Sequence, residues 1–177
     1  MSPLHYPALS ASLLRSGTAT RIPAHSDPGT LTLLFQDVVG GLEIADLSSA
    51  SIETSAGFEK DGKFRRVEPK PGTVVVNVGY LLMRWSNGRW KNTIHRVSLP
   101  PSEQALGKFD LSRTLEVDDV SATDLVPARY SIPFFAVPDP GTIVEALPGS
   151  WSEDVPKRWK PIHAGDYLRR KTEAMYA

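Results

Sequence analysis

Three side chains in this sequence have the types and spacing to share one metal ion. His25 and Asp27 stand two residues apart in Pro23-Ala24-His25-Ser26-Asp27-Pro28-Gly29-Thr30, at the entrance to the apolar run Leu31 to Phe35. In an extended backbone the side chains at i and i+2 point to the same face, so both can reach one ion. His95, in Asn92-Thr93-Ile94-His95-Arg96-Val97, supplies a third ligand. Two imidazoles and one carboxylate are the facial set that leaves positions open on a non-haem Fe(II). Zinc is the rival ion, since the same donors serve zinc hydrolases. Those enzymes add a Glu base, as in His-Glu-x-x-His, and that motif is absent, which favours iron. Taken alone, His25-Ser26-Asp27 would read more readily as an Asx turn; the residues further down the chain reverse that weighting.

Chief among them is Arg129-Tyr130-Ser131. On a strand Arg129 and Ser131 share a face, which aims a guanidinium fork and a hydroxyl at one carboxylate in a way that Lys could not reproduce. A near-copy, Arg96-Val97-Ser98, fails on parity. If His95 points inward, residues 96 and 98 point out.

The elements that must carry these groups are mostly short strands. Leu4-His5-Tyr6-Pro7 is an edge strand at most. His25 to Gln36 is expected to be a buried strand with the metal pair at its mouth and a turn or bulge at Pro28-Gly29, because proline cannot donate to a central ladder. Gly40 to Ala45 reads as a turn plus strand, Ser48 to Gly57 as a small-residue loop, and Asp61-Gly62 as a hairpin turn. Thr73 to Val78 has the strongest β-branched content in the chain. Gly79 to Trp85 reads as one or two helical turns closed by Asn87-Gly88. Trp90 to Leu99 is the expected strand around His95, Pro100 to Pro127 a long polar connection that could serve as a flap, and Ala128 to Val137 a further strand. The amphipathic spacing of Ala164, Tyr167, Leu168, Lys171 and Ala174 predicts a C-terminal helix over 164–176, laid on a sheet. Six to eight strands with few helices suggest an all-β double-sheet jelly roll, with a simple antiparallel sandwich as the alternative.

Bulk composition agrees. A chain of 177 residues is one domain's worth, able to bury roughly 70% of its unfolded surface, and its 15 prolines favour short elements. Twenty basic and twenty acidic residues cancel, and no basic stripe interleaved with aromatics marks a nucleic-acid or anionic-membrane surface. The expected partner is a small molecule. No cysteine is present, which excludes thiolate nucleophiles, iron–sulfur ligation and disulfides. The N-terminus lacks the pattern of a secretory signal, and the longest apolar run, Val74 to Met83, is too short to span a bilayer; a cytoplasmic protein is expected.

With these residues assembled, the sequence resembles the catalytic half of the Fe(II)/2-oxoglutarate-dependent dioxygenases of the isopenicillin N synthase-like group. His25-Ser26-Asp27, Gly40-Gly41-Leu42, Asn77-Val78-Gly79, Trp85-Ser86-Asn87-Gly88, His95-Arg96-Val97 and Arg129-Tyr130-Ser131 carry the match, which covers nearly all of residues 1–177. The resemblance implies a double-stranded β-helix with Fe(II) on His25, Asp27 and His95. It implies 2-oxoglutarate and O₂ as cosubstrates, with Arg129 and Ser131 on the distal carboxylate and Tyr6 touching the same molecule. The implied activity, in secondary metabolism, is hydroxylation, desaturation or cyclisation of a small organic molecule, with succinate and CO₂ released. An oxidase that uses no 2-oxoglutarate, as isopenicillin N synthase does not, is one alternative; an inactive metal-binding jelly roll acting as a partner is another. Leu4 stands where the family has Asn and Tyr80 where it has Asp. The family also carries a helical N-terminal region ahead of Tyr6. A chain lacking it is expected to expose an apolar sheet face and to associate with itself or with a partner that supplies the missing part.

Overall fold

In the computed structural model, residues 3–46, 60, 62–100 and 124–176 are described. They form β1 (Leu4–Tyr6), β2 (Leu9–Ser10), α1 (Ala11–Arg15), β3 (Ile22–His25), β4 (Leu31–Gln36), β5 (Leu42–Ala45), β6 (Phe64–Arg66) and β7 (Val75–Val78). Then follow α2 (Tyr80–Trp85), β8 (His95–Val97), β9 (Leu125–Val126), β10 (Arg129–Ala136), β11 (Ile143–Val144), β12 (Ile162–His163) and α3 (Ala164–Tyr176). Two four-stranded antiparallel sheets, ordered β1-β10-β4-β7 and β3-β8-β5-β6, make a double-sheet jelly roll, with the ribbons β2-β9 and β11-β12 beside them.

Alternation along the strands builds the space between the sheets. On β10, Arg129, Ser131 and Pro133 are buried while Tyr130, Ile132 and Phe134 are exposed. The inner core joins both sheets: Tyr6 from β1, Leu42 from β5 and Val97 from β8 are buried together, with Leu34 and Val75 packed against them. Burial of each such aliphatic side chain contributes about 1.5–3 kcal/mol. The outer face of the first sheet is apolar as well, with Tyr130, Ile132, Phe134, Phe35 and Val76 all exposed.

Residues 25–36 are not one strand. His25 ends β3 in one sheet and Leu31 begins β4 in the other, so the segment between them crosses from sheet to sheet. The crossing is held by the start of α2: the amides of Gly79, Tyr80 and Leu81 donate to the carbonyls of Thr30, Asp27 and Gly29 at 2.7, 2.9 and 2.9 Å. A Cβ on Gly79 would lie 2.3 Å from the Gly29 carbonyl oxygen, so this approach requires glycine. Tyr80, instead of capping α2, stacks on Tyr167 with ring centroids 4.8 Å apart. Asn87, at φ 51°, and Gly88, at φ 79°, turn the chain after α2. The Asn87 side-chain amide donates to the carbonyls of Ser150 and Pro156, tying down the following segment.

Two further expectations need correction. The strand around His95 is only three residues long, because the preceding residues run outside the ladder. The C-terminal helix packs its first turns, through Ala164 and Tyr167, against Leu81, Val144 and Trp85 rather than on a main sheet. From Arg169 to Ala174 it is exposed, so the apolar stripe is not covered at Lys171 and Ala174. The Ser48–Gly57 loop, Asp61 of the hairpin turn, and residues 101–123 of the expected flap lie outside the described residues. Among the described residues no helix is long and apolar enough to cross a membrane.

Candidate metal centre and carboxylate pocket

His25 and His95 come together because β3 and β8 pair in register at these two residues. Ile22 and His25 both line the cavity between the sheets although they differ in parity, and a register shift between them in the β3–β8 ladder accounts for it. Asp27 arrives from the crossing segment and not from strand parity. It is 4% exposed, and its Oδ1 lies 3.9 Å from His25 Nε2 and 3.9 Å from His95 Nε2. One ligand atom from each residue falls within 4.8 Å of the others.

The surroundings leave those atoms free to ligate. His25 Nδ1 lies 2.9 Å from the Pro23 carbonyl oxygen and His95 Nδ1 lies 3.1 Å from that of Thr93. An Nδ1–H donated to each carbonyl leaves the Nε2 lone pair facing the cavity, the arrangement that orients metal-bound histidines. Burial, and next the neighbouring His25, hold the His95 pKa below its ordinary value and so favour the neutral ring. The other Asp27 oxygen is occupied. Thr32 Oγ1 donates to Oδ2, and so does Asn77 Nδ2 at 2.7 Å. Thr32 and Asn77 are register partners on β4 and β7, so the two donors stand side by side. The donor set therefore fits a divalent ion, with one carboxylate oxygen and two imidazole nitrogens turned inward. Sequence reasoning had no separate signal for Thr32, and for Asn77 only its place in the Asn-Val-Gly motif.

Arg129 and Ser131 line the same cavity as the three ligands, as does Tyr6. Thr32 and Gln36 share the inner face of β4 four residues apart, roughly 13 Å of strand, and Gln36 pairs with Ser131. Arg129 is fully buried. Its Nη1 donates to Ser131 Oγ and its Nη2 to Gln36 Oε1, both at 3.1 Å, and its carbon centre sits 5.0 Å from the Tyr6 ring. Among the described residues its buried Nε has no hydrogen-bond partner and no acidic side chain forms an ion pair with it. Burial lowers its pKa, countered first by Tyr6. A buried guanidinium whose hydrogen-bond partners are neutral is costly until an anion joins it. Arg96 contrasts with it: on the outer face, it donates to Glu43 at 2.8 Å and lies over the Phe64 ring. Leu4, Leu34, Leu42 and Phe135 supply apolar lining. Phe135 is 47% exposed although strand alternation turns it inward, and its register partner is Thr32.

A family model for the 2OG-Fe(II) oxygenase superfamily matches residues 5–138. Among curated proteins, the chain is 39% identical over 146 residues to the 2-oxoglutarate-dependent dioxygenase htyE of Aspergillus rugulosus, covering 82% of this chain and 36% of that protein. It is 35% identical over 171 residues to the 2-oxoglutarate-dependent dioxygenase lolO1 of Epichloe uncinata, covering 93% of this chain and 40% of that protein. Among solved structures, a full-length Neurospora crassa protein in complex with alpha-KG and 5-formyluracil superposes with a TM-score of 0.74 at 34% identity, over 97% of this chain and 45% of that one. The dioxygenase for auxin oxidation of rice gives a TM-score of 0.63 at 27% identity, over 89% and 42%. The chain thus spans less than half the length of these relatives.

Proposed function

Because this chain belongs to the 2OG-Fe(II) oxygenase superfamily, we propose that it is an Fe(II)- and 2-oxoglutarate-dependent dioxygenase that oxidises a small organic molecule, in secondary metabolism. The observation that carries this reading is the fully buried Arg129 guanidinium, without an acidic partner among the described residues, in the cavity where His25, Asp27 and His95 converge. A carboxylate-bearing cosubstrate supplies the charge that this end of the cavity lacks.

In this reading His25 and His95 hold the ion through Nε2 and Asp27 holds it through Oδ1, with Thr32 and Asn77 fixing the carboxylate. Bound Fe(II) supplies the coupling of O₂ activation to oxidative decarboxylation of 2-oxoglutarate, which yields succinate, CO₂ and an oxidised substrate. Arg129 and Ser131 hold the distal carboxylate by charge-assisted hydrogen bonds. Tyr6 closes one side of the guanidinium. Leu4, Leu34 and Leu42 keep water from the path between the two ends. Phe135, open at the metal end, is the wall the organic substrate meets. We place the expected self-association or partner contact on the exposed apolar outer face of the first sheet.

The test is succinate formation by the purified chain with Fe(II), 2-oxoglutarate and O₂. Succinate that depends on metal and on Arg129 supports the reading. Oxidation of a substrate without succinate would assign the chain to the oxidases, and tight Fe(II) binding with neither product would make it a non-catalytic metal-binding jelly roll.

A further inference from the structure

Arg21 stands one residue ahead of β3 and belongs to none of the motifs. Its Nη2 donates at 2.6 Å to the carbonyl of Pro127, two residues before Arg129. Its Nε and Nη1 are buried and find no partner among the described residues. Arg129 has a buried, unpartnered Nε as well. Tyr6 is the register partner of Arg129, and both guanidinium groups lie within electrostatic reach of each other, of Tyr6 and of Asp37. Asp37 is the acidic group of this cluster, and its oxygens are already given to the backbone amides of Val39 at 3.0 Å and Tyr130 at 2.5 Å. Burial, and then the Arg129 charge, press the Arg21 pKa down, while Asp37 opposes them. A fully buried cation, Arg129, and a half-buried one, Arg21, thus share one carboxylate that hydrogen-bonds elsewhere. Such a cluster is one negative charge short of balance.

We propose that Arg21 is a positioning residue of the carboxylate pocket: with Arg129 and Asp37 it leaves a deficit of one negative charge that the second carboxylate of a dicarboxylic 2-oxoacid fills. Arg21 thereby sets the preference for a dianionic cosubstrate over a monoanionic one. It acts on the ligand through field and through the start of β10, while Arg129 makes the contact. The inference rests on the cosubstrate reading above. A purely structural Arg21, bracing the Pro127 carbonyl, would give no such preference.

The experiment is anaerobic calorimetric titration of the Fe(II)-loaded chain with 2-oxoglutarate and with 2-oxopentanoate, which has the same five-carbon chain without the second carboxylate. Arg21→Gln is expected to weaken 2-oxoglutarate binding by on the order of tenfold, the effect of one charge removed at short range in a partly buried setting, and to leave 2-oxopentanoate within about twofold. Arg21→Lys keeps the charge and should keep the ratio of the two affinities. Equal weakening of both acids in Arg21→Gln, or no weakening, overturns the inference. If the Gln variant does not fold, loss of the ratio in Arg21→Lys overturns it and its retention supports it. A wild-type chain that binds both acids alike, with no response to Arg129→Gln, would instead sink the cosubstrate reading itself. A preference abolished by Arg129→Gln and untouched by Arg21→Gln sinks the present inference alone.

Discussion

His25 and His95 face each other across the β3–β8 ladder with ring centroids 4.3 Å apart, and each turns Nδ1 toward the carbonyl two residues before it. The symmetry of those two backbone contacts presents both Nε2 atoms to the same Asp27 oxygen. Ligand geometry is therefore set by the backbone leading into each histidine, within β3 for Pro23 and just ahead of β8 for Thr93.

Removing one ligand should abolish tight binding while a histidine elsewhere is indifferent. Asp27→Ala and His95→Ala are expected to lose Fe(II) binding in anaerobic titration, and His163→Ala, on the β11–β12 ribbon, to retain it. In the wild type, Fe(II) at a hundred times its Kd should stabilise the fold by about 2.7 kcal/mol, read as a shift of the urea midpoint. Equal loss at His163 would refute the triad.

Thr32 and Asn77 hold Asp27 from the opposite sheet, so their removal should act through that carboxylate. Thr32→Val leaves a buried charged acceptor short of a donor and is expected to cost roughly 1–3 kcal/mol of stability and about 10–100-fold in metal affinity. Thr32→Ser keeps the hydroxyl and should restore most of the affinity. Metal titration of the two variants decides it, since a packing role alone would not be rescued by Ser.

Arg129 and Arg96 sit in near-identical Arg-x-Ser motifs on opposite faces. Arg129→Gln is expected to weaken 2-oxoglutarate binding by roughly 2–5 kcal/mol. Arg96→Gln breaks a partly exposed pair with Glu43 and should change it little. Calorimetry on the Fe(II)-loaded chain makes the comparison, and dependence on Arg96 instead would overturn the assignment of the pocket.

Asp124 caps the N-terminal side of α1, accepting from the Ser10 hydroxyl at 2.5 Å and the Ser12 amide at 3.3 Å, with Arg15 beside it. The Ser10 hydrogen bond is the main reason its pKa lies below the ordinary value. A carboxyl with a depressed folded pKa contributes stability above its unfolded pKa, near ~3.9, and loses it as pH falls through the folded value. Asp124→Asn should therefore be less stable than wild type at neutral pH, with the gap closing in acid. Urea midpoints across that range measure it, and a gap independent of pH would refute the role of the charge.

The members of the candidate site were legible in residue types: two His, one Asp, and an Arg and Ser sharing a strand face. Alternation foretold the inward face of β10, because a single strand obeys a local rule. The His25–Asp27 geometry was not legible in the same way. An i, i+2 spacing predicts a shared strand face, whereas the pair is brought together by a chain crossing that the amides of Gly79 to Leu81 help hold in place. Thr32 and Arg21 were invisible for a related reason: nothing local distinguishes a threonine in an apolar strand, or an arginine before one, until distant residues surround it. The C-terminal helix was legible as a helix but not in its docking, since its apolar stripe names a face without naming what meets it.

The crossing between β3 and β4 has a consequence for how the protein is made. His25 comes from one sheet, the hydrogen bonds that hold Asp27 come from the other, and His95 lies far along the chain, so no partly folded segment contains the site. Such long-range closures come late on a folding pathway, after the entropy of the intervening loops has been overcome. At the proposed metal centre, capture of an ion would then work as a latch that engages only after both sheets have docked. An ion loaded at that stage would slow reopening of the seam without having guided the collapse, and its uptake, timed during refolding, would report completed folding.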